Sequence, residues 1–194
     1  MSFFSILLSG FGKGPKQKPQ VIEGSRLSPE SLLIQTSAWG QNIPYVFGRA
    51  RIAGNIIWAR DIREVRTETT TTSSTGTGKA AIKTTTTNIN YEYYCSFAVA
   101  ICGNEISDVL KIWADTKLIY NLDTTDGGTL DVTAAVPLVK YLGTETQIPS
   151  SIIEGYEGAG NVSGHRGIAY VVFDNLPLAD FNNRIPNLSF EIQA

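Results

Sequence analysis

From Ile89 to Cys102 the side chains alternate with a period of two. Ile89, Tyr91, Tyr93, Cys95, Phe97, Val99 and Ile101 fall on one face, and Asn90, Glu92, Tyr94, Ser96, Ala98, Ala100 and Cys102 on the other. A helix cannot produce that pattern, whereas β-branched and aromatic residues suit a pleated, half-buried surface. At about 3.3 Å per residue the predicted strand is roughly 43 Å long, well above the usual length. Ile168–Phe173 (IAYVVF) is apolar on both faces and predicts a central strand. Leu188, Phe190 and Ile192 alternate with Ser189 and Glu191 in a half-buried final strand. Upstream, IPYVFGRARI and NIIWAR flank Ala53-Gly54-Asn55 and predict a hairpin; VLKIWA and KLIY around Asp115-Thr116 predict another. Helical signals are few: Ala134–Tyr141, and Ser150–Tyr156, which carries Ser150 or Ser151 as cap and has Gly155 and Gly158 nearby. The class is mainly β: antiparallel sheets in a barrel- or sandwich-like domain, with one or two short helices.

Between the two hairpins runs a threonine stretch. Thr67–Asn90 reads TETTTTSSTGTGKAAIKTTTTNIN and holds eleven Thr among 24 residues. Low complexity of this kind reads as disorder in one view. In the other, the turn-like SSTGTG sits between two β-branched runs of similar length, and the second run enters the long strand without a break. The hairpin is the better reading: an arm leaving at about Arg60, turning near Gly76 and returning to Tyr91, projecting beyond the core. An isolated polar hairpin is marginal in water, so such an arm calls for a partner, most simply copies of itself in a closed ring. At the other end, SFFSILLSGFG precedes Lys13, Lys16 and Lys18, the reverse of a secretory leader, and Ser2 excludes the myristoylation motif. Residues 1–24 read as an N-terminal arm, either a solvated tail or one whose Phe3, Phe4, Ile6 and Leu7 dock on a neighbouring subunit. Residues 25–194 then form a single β-rich domain, interrupted by the hairpin insertion at about 61–91.

Composition narrows the function. The 194 residues carry 16 Lys+Arg against 18 Asp+Glu, a formal charge of −2. That balance lacks the dense basic surface of a sequence-independent nucleic-acid binder. No apolar run approaches the roughly 20 residues that cross a bilayer, so no integral membrane segment is expected. With two Cys and one His, neither a disulfide scaffold nor a His-based metal site or dyad is expected. Cys95 and Cys102 lie roughly 23 Å apart on one strand and on opposite faces, too far to pair, and read as buried free thiols. Ser73–Ala80 superficially resembles a phosphate-binding loop but lacks Gly at Ser73 and Ser/Thr at Ala80. Asp123, Asp126 and Asp131 do not match the EF-hand spacing and read as an acidic turn. His165 has no nucleophile context and reads as structural. Trp39, Trp58 and Trp113 are candidate stacking platforms for a receptor or sugar, although Trp58 and Trp113 sit in predicted strands. The expectation is a non-enzymatic protein with no catalytic residue, cofactor or metal.

Several segments resemble one family. HRGIAYVVFDNLPLADFNNRIPNLSFEI (His165–Ile192) is similar to the hub domain of phage tail proteins, in particular the large tail-tip protein of gene transfer agents and related siphophage prophages. Ile34–Ala59 matches the family's Ser-x-x-Gly-x-x-Ile-Pro-x-x-Tyr/Phe-Gly-x-x-Arg pattern and the Gly-Asn-x-Ile-Trp that follows it. Tyr91–Tyr120 resembles its long strand and hairpin, and Tyr141–Gly167 the segment leading to the signature. The likeness runs from about Gly24 to Ile192. Asn182 stands where the family has Gly, as does Thr116 in the Trp-Ala-Asp-Gly turn; Asn tolerates a positive φ. The family's large members continue far beyond this strand, so the chain is expected to be either a short hub or the first piece of a split hub completed by another protein.

The physics of the Leu-Pro-Leu-Ala-Asp-Phe string can be read separately. Pro177 ends the buried strand, since it cannot donate to a ladder. Leu178 and Phe181 are expected to cover the sheet end, Asp180 and Arg184 to pair, and Pro186 to preset the last strand. Leu178, Asp180, Phe181, Arg184 and Ile185, with Phe3, Phe4 and Leu7, are the structural or interface candidates. The resemblance implies a structural component of a virion tail tip or baseplate hub, assembled in the bacterial cytoplasm. Such a hub links the tail tube to distal receptor-binding parts, forms part of the DNA channel, and serves host attachment and DNA ejection. It implies a homotrimer, with a distal tail adaptor, the tape measure C-terminus and a fibre or second hub protein as partners, and passive contact with transiting DNA. The alternative is a receptor- or carbohydrate-binding module of a tail fibre.

Overall fold

A computed structural model describes residues 18–27, 42–75, 82–122 and 136–194. In chain order the elements are β1 (Gln20–Glu23), β2 (Arg49–Ala53), β3 (Asn55–Ala59), β4 (Arg63–Thr75), β5 (Ile82–Cys102), β6 (Asp108–Ala114), β7 (Lys117–Asn121), β8 (Leu138–Leu142), α1 (Ser151–Glu157), β9 (Ala169–Pro177), a 3-10 turn (Ala179–Phe181) and β10 (Leu188–Gln193). Strands dominate and their pairing is largely antiparallel, in open sheets rather than a closed barrel. Two compact units divide the chain: Met1–Arg26 with Arg66–Tyr91, and Leu27–Val65 with Glu92–Ala194. The 21-residue β5 and the 13-residue β4 contribute to both.

In the larger unit β5 is flanked on both edges. Phe97 lies opposite Ala59 of β3 on one side and Phe173 of β9 on the other, and β8 closes the far side of β9. Burial on both faces explains why Ala169–Phe173 reads as an unbroken apolar run. The second sheet runs β2-β10-β6-β7. Adjacent residues of a strand point to opposite faces, and here the two faces of β5 have different covers. Val99 meets Phe190 of β10 at Gly54, which places the second sheet on that side. Ala98, with Tyr170 and Val172, packs instead against Ile153 of α1. The helix forms because Ser150 caps it, its hydroxyl accepting from the Ile153 N–H at 3.5 Å, and Gly158 ends it at φ 95°.

Two expectations need correction. Ala53-Gly54-Asn55 is not a hairpin: β2 pairs with β10 and β3 with β5, so the chain changes sheets at Gly54. A Cβ there would lie 2.2 Å from Val99 Cγ1 and 2.7 Å from a Phe190 ring carbon, so glycine is required by the close approach of two layers. Leu138–Tyr141 of the expected helix Ala134–Tyr141 belong instead to strand β8, with Pro137 immediately before it; Ala134 and Ala135 lie outside the described residues. The Asp115-Thr116 hairpin is present, with Ala114 opposite Lys117 and Asp115 at φ 54°.

The smaller unit contains the threonine hairpin. Thr70 Oγ1 lies 3.3 Å from Thr87 Oγ1, and the Thr71 hydroxyl donates to the Thr86 carbonyl at 3.4 Å, which aligns β4 and β5 antiparallel. The expected turn at Gly76 lies outside the described residues. On the other edge of β5, β1 runs parallel to Thr86–Ile89, so part of the expected arm is a strand. Tyr91 links the three strands: it donates to Glu23 at 2.6 Å and interacts with Arg66.

Candidate functional site

The signature string builds a rigid clasp. β9 stops at Pro177, and the Leu178 N–H then donates to the Tyr93 carbonyl at 2.9 Å. One 3-10 turn follows, closed by the Phe181 and Asn183 N–H groups on the Leu178 carbonyl, both at 2.9 Å. Asn182 and Asn183 both stand at φ 55°, a conformation that asparagine adopts more readily than most residues. Leu178, Phe181 and Ile185 are buried.

Asp180 and Arg184 do not pair with each other. The turn sends Asp180 to Lys117 (2.5 Å) and Arg184 to Asp115 (2.9 Å), both at the β6–β7 hairpin. Asp115 is the centre of the clasp. Its carboxylate also accepts from the Asn187 N–H at 3.1 Å, while its own N–H donates to the Asn187 carbonyl at 2.8 Å. The Lys117–Asp180 side chains are 58% and 66% exposed, so that pair is worth about 0–1 kcal/mol. Phe3, Phe4 and Leu7 lie outside the described residues, as do Trp39, Asp123, Asp126, Asp131 and residues 76–80 of the loop that resembles a phosphate cradle.

A bulge opposite Ser96 leaves Asp174 and Asn175 on β9. Ser96 donates to Asp174 at 2.9 Å, Tyr156 donates to the same oxygen at 3.1 Å, and the Asn175 N–H donates to Ser96 Oγ at 2.9 Å. The Asn175 side-chain amide also donates to that oxygen at 3.1 Å, so Asp174 Oδ1 takes three donors. Cys95 and Cys102 are both free and buried. Burial, with a smaller push from Asp61, raises the Cys95 thiol to about 11, leaving it protonated and a poor nucleophile. Burial lowers the His165 imidazole, which sits edge-on against Tyr170 at 5.4 Å. Among the described residues no three His, Cys, Asp or Glu side chains cluster to hold a metal, and no helix is long and apolar enough to cross a membrane.

The two described Trp rings are engaged. Arg51 lies over Trp113 with its guanidinium 3.8 Å from the ring centroid. Trp58 packs against the Ala98–Tyr170 cluster and donates its indole N–H to Glu157 at 2.9 Å. The exposed aromatics are elsewhere, at positions the sequence reading did not single out: Tyr45 is 70% and Phe47 88% exposed, while Val46 between them is 7% exposed. The signal was available in Pro-Tyr-Val-Phe-Gly, where alternation can bury only one of the two faces. Tyr45 lines a cleft of about 510 Å³ with Ile43, Glu105, Glu145, Arg166 and Ile168.

Among solved structures, the chain is similar to one from the "Virion of native gene transfer agent (GTA) particle", with 29% identity and a TM-score of 0.55. The likeness covers 82% of this chain and 28% of that one, so this protein spans under a third of its neighbour's length. No family model and no curated protein matches the sequence.

Proposed function

We propose that the protein is a structural, non-enzymatic subunit of a phage or phage-like particle, placed in the hub of the tail tip or baseplate. The observation that carries this reading is the likeness, in fold and in 29% of residues, to a gene transfer agent virion chain over four-fifths of the sequence. The clasp supports it, because its charged and buried groups are spent on holding two loops together rather than on presenting a reactive site. In the proposed assembly residues 25–194 form the hub domain, three copies close a ring about the tail axis, and the hub joins the tube to distal receptor-binding parts. A heterologous contact repeated by rotation closes in this way. The threonine hairpin, polar on both faces, suits a DNA conduit, where basic residues would retain phosphates.

The test is immunogold labelling of purified particles with antibody to this chain, followed by imaging of the assembled tail. Label at the end of the tail distal to the head, with three copies per particle by quantitative mass spectrometry, is expected. A chain missing from purified particles, or found only in head proteins or along the tube, overturns the reading.

A further inference from the structure

The exposed aromatic strip is not a loose loop. The side-chain amide of Asn104 grips Val46 at both backbone groups, accepting from its N–H and donating to its carbonyl, each at 3.1 Å. The Gly103 N–H donates to the Pro44 carbonyl at 2.9 Å, and the Ala194 N–H to the Gly48 carbonyl at 3.0 Å. Backbone so restrained holds Tyr45 and Phe47 in water with little freedom to fold them away. Rigid aromatics beside a cleft are the usual anchors of a contact surface.

We propose that the apolar segment Ser2–Leu8 of one copy seats on Tyr45–Phe47 and the adjoining cleft of a second copy. This rests on the ring reading above in taking the occupant from a second copy. Two properties of the sequence match that occupant to this surface. Ser-Phe-Phe-Ser-Ile-Leu-Leu carries five large apolar side chains in seven residues and no charge, so its burial is favourable at about 25 cal/mol per Å² of apolar surface. The charges that follow it, Lys13, Lys16 and Lys18, are all positive, whereas the cleft presents Glu105 and Glu145 against the single Arg166. Apolar tip therefore meets aromatic strip, and basic stem meets a net-negative cleft. Ser9–Gln17 adds nine residues, a reach of at most about 30 Å at about 3.3 Å per residue when extended. A contact of this size is smaller than a standard interface, and it acts as a clasp added to the main contact between copies.

The test replaces Phe4 with p-benzoylphenylalanine in the full-length purified chain, mixes light and ¹⁵N-labelled copies, and maps photo-adducts by mass spectrometry. Adducts joining position 4 to the peptides of Tyr45–Phe47 or Gly103–Glu105, with mixed isotopes, are expected. Combining Tyr45→Ala with Phe47→Ala should lower their yield at least tenfold while the far-UV circular dichroism is unchanged. Adducts within one copy only, adducts elsewhere, a yield indifferent to the double variant, or no adduct would each overturn the proposal. Particle labelling reads out the hub assignment separately, so failure of one does not imply failure of the other.

Discussion

Tyr170 is fully buried, and its hydroxyl is the one buried side-chain oxygen or nitrogen among the described residues with no hydrogen-bond partner. Its ring is well placed, stacked on Tyr141 at 4.4 Å with 4° between planes and met edge-on by His165. Tyr170→Phe keeps those contacts and removes only the oxygen. An unsatisfied buried polar group costs about 1–3 kcal/mol. The vacancy left by one oxygen costs less, about 0.5 kcal/mol at 24 cal/mol per Å³. The variant should therefore be more stable by about 1 kcal/mol, and for a chain of this size Tm should rise by roughly 2–4 °C. The assay is urea unfolding followed by far-UV circular dichroism, in which the midpoint should rise with an unchanged slope. Alkaline pH gives a second signature. Burial raises the Tyr170 pKa above its ordinary value near 10. Above pH 10 the unfolded phenol loses its proton while the folded one keeps it, so the wild type loses stability as pH rises and the variant loses less. The gap between them should widen from pH 9 to pH 11. A lower midpoint for Tyr170→Phe would refute the reasoning, because it would mean that the hydroxyl has a partner in solution, such as a buried water.

Three other perturbations test the architecture. Gly54→Ala should cost about 1–3 kcal/mol in the same urea assay, since its Cβ would overlap Val99 and Phe190 where the chain changes sheets; a neutral result would sink the two-layer corner. Asp115→Ala should lose about 1–3 kcal/mol, because it strips partners from both Arg184 and the Asn187 N–H, whereas Asp180→Ala should lose at most about 0.5 kcal/mol for its exposed pair; equal losses would mean that Asp115 is not the centre of the clasp. Limited proteolysis with a nonspecific protease should cut Thr67–Thr75 and Ile82–Asn88 much faster in the isolated chain than in intact particles, and equal rates in both would remove the case for a hairpin covered on assembly.

The parts legible in the sequence are those where one interaction dominates. Alternation marks Ile89–Cys102 of β5 and β10, and an unbroken apolar run marks β9, because burial on one face or both decides most positions there. Ser150 and Gly158 mark α1 because cap chemistry is local. The misread parts are those where local pattern and tertiary demand diverge. Ala53-Gly54-Asn55 has turn composition, yet its glycine answers to Val99 and Phe190, residues distant in sequence. Leu138, Tyr141 and Leu142 have helical spacing, but the open edge of β9 recruits them as a strand. Asp180 and Arg184 are four apart, which suggests a pair on a regular helix. Two consecutive left-handed asparagines break that geometry and turn each charge to the β6–β7 hairpin instead. β1 escaped notice because four residues beside Pro19 carry too little pattern to separate from an arm.

The smaller unit poses a physical problem that bears on assembly. Thr70 and Thr87 share one face of the hairpin and Thr71 and Thr86 the other, so neither face is apolar. Cross-strand threonine pairs contribute roughly 0.2–1 kcal/mol each, while fixing each residue costs about 1–2 kcal/mol of backbone entropy. The Glu23–Tyr91–Arg66 row adds directional hydrogen bonds but little buried apolar area. A sheet built this way does not stabilise itself. β-branched side chains still limit what the unfolded chain can explore, so the hairpin is biased toward extended structure before anything covers it. That combination, prepared for pairing yet without a core, is what a segment needs if it is to become ordered on assembly while remaining too polar to aggregate beforehand. In the proposed ring, neighbouring copies supply the missing burial, and the polar surface that cannot form a core becomes the wall of a passage.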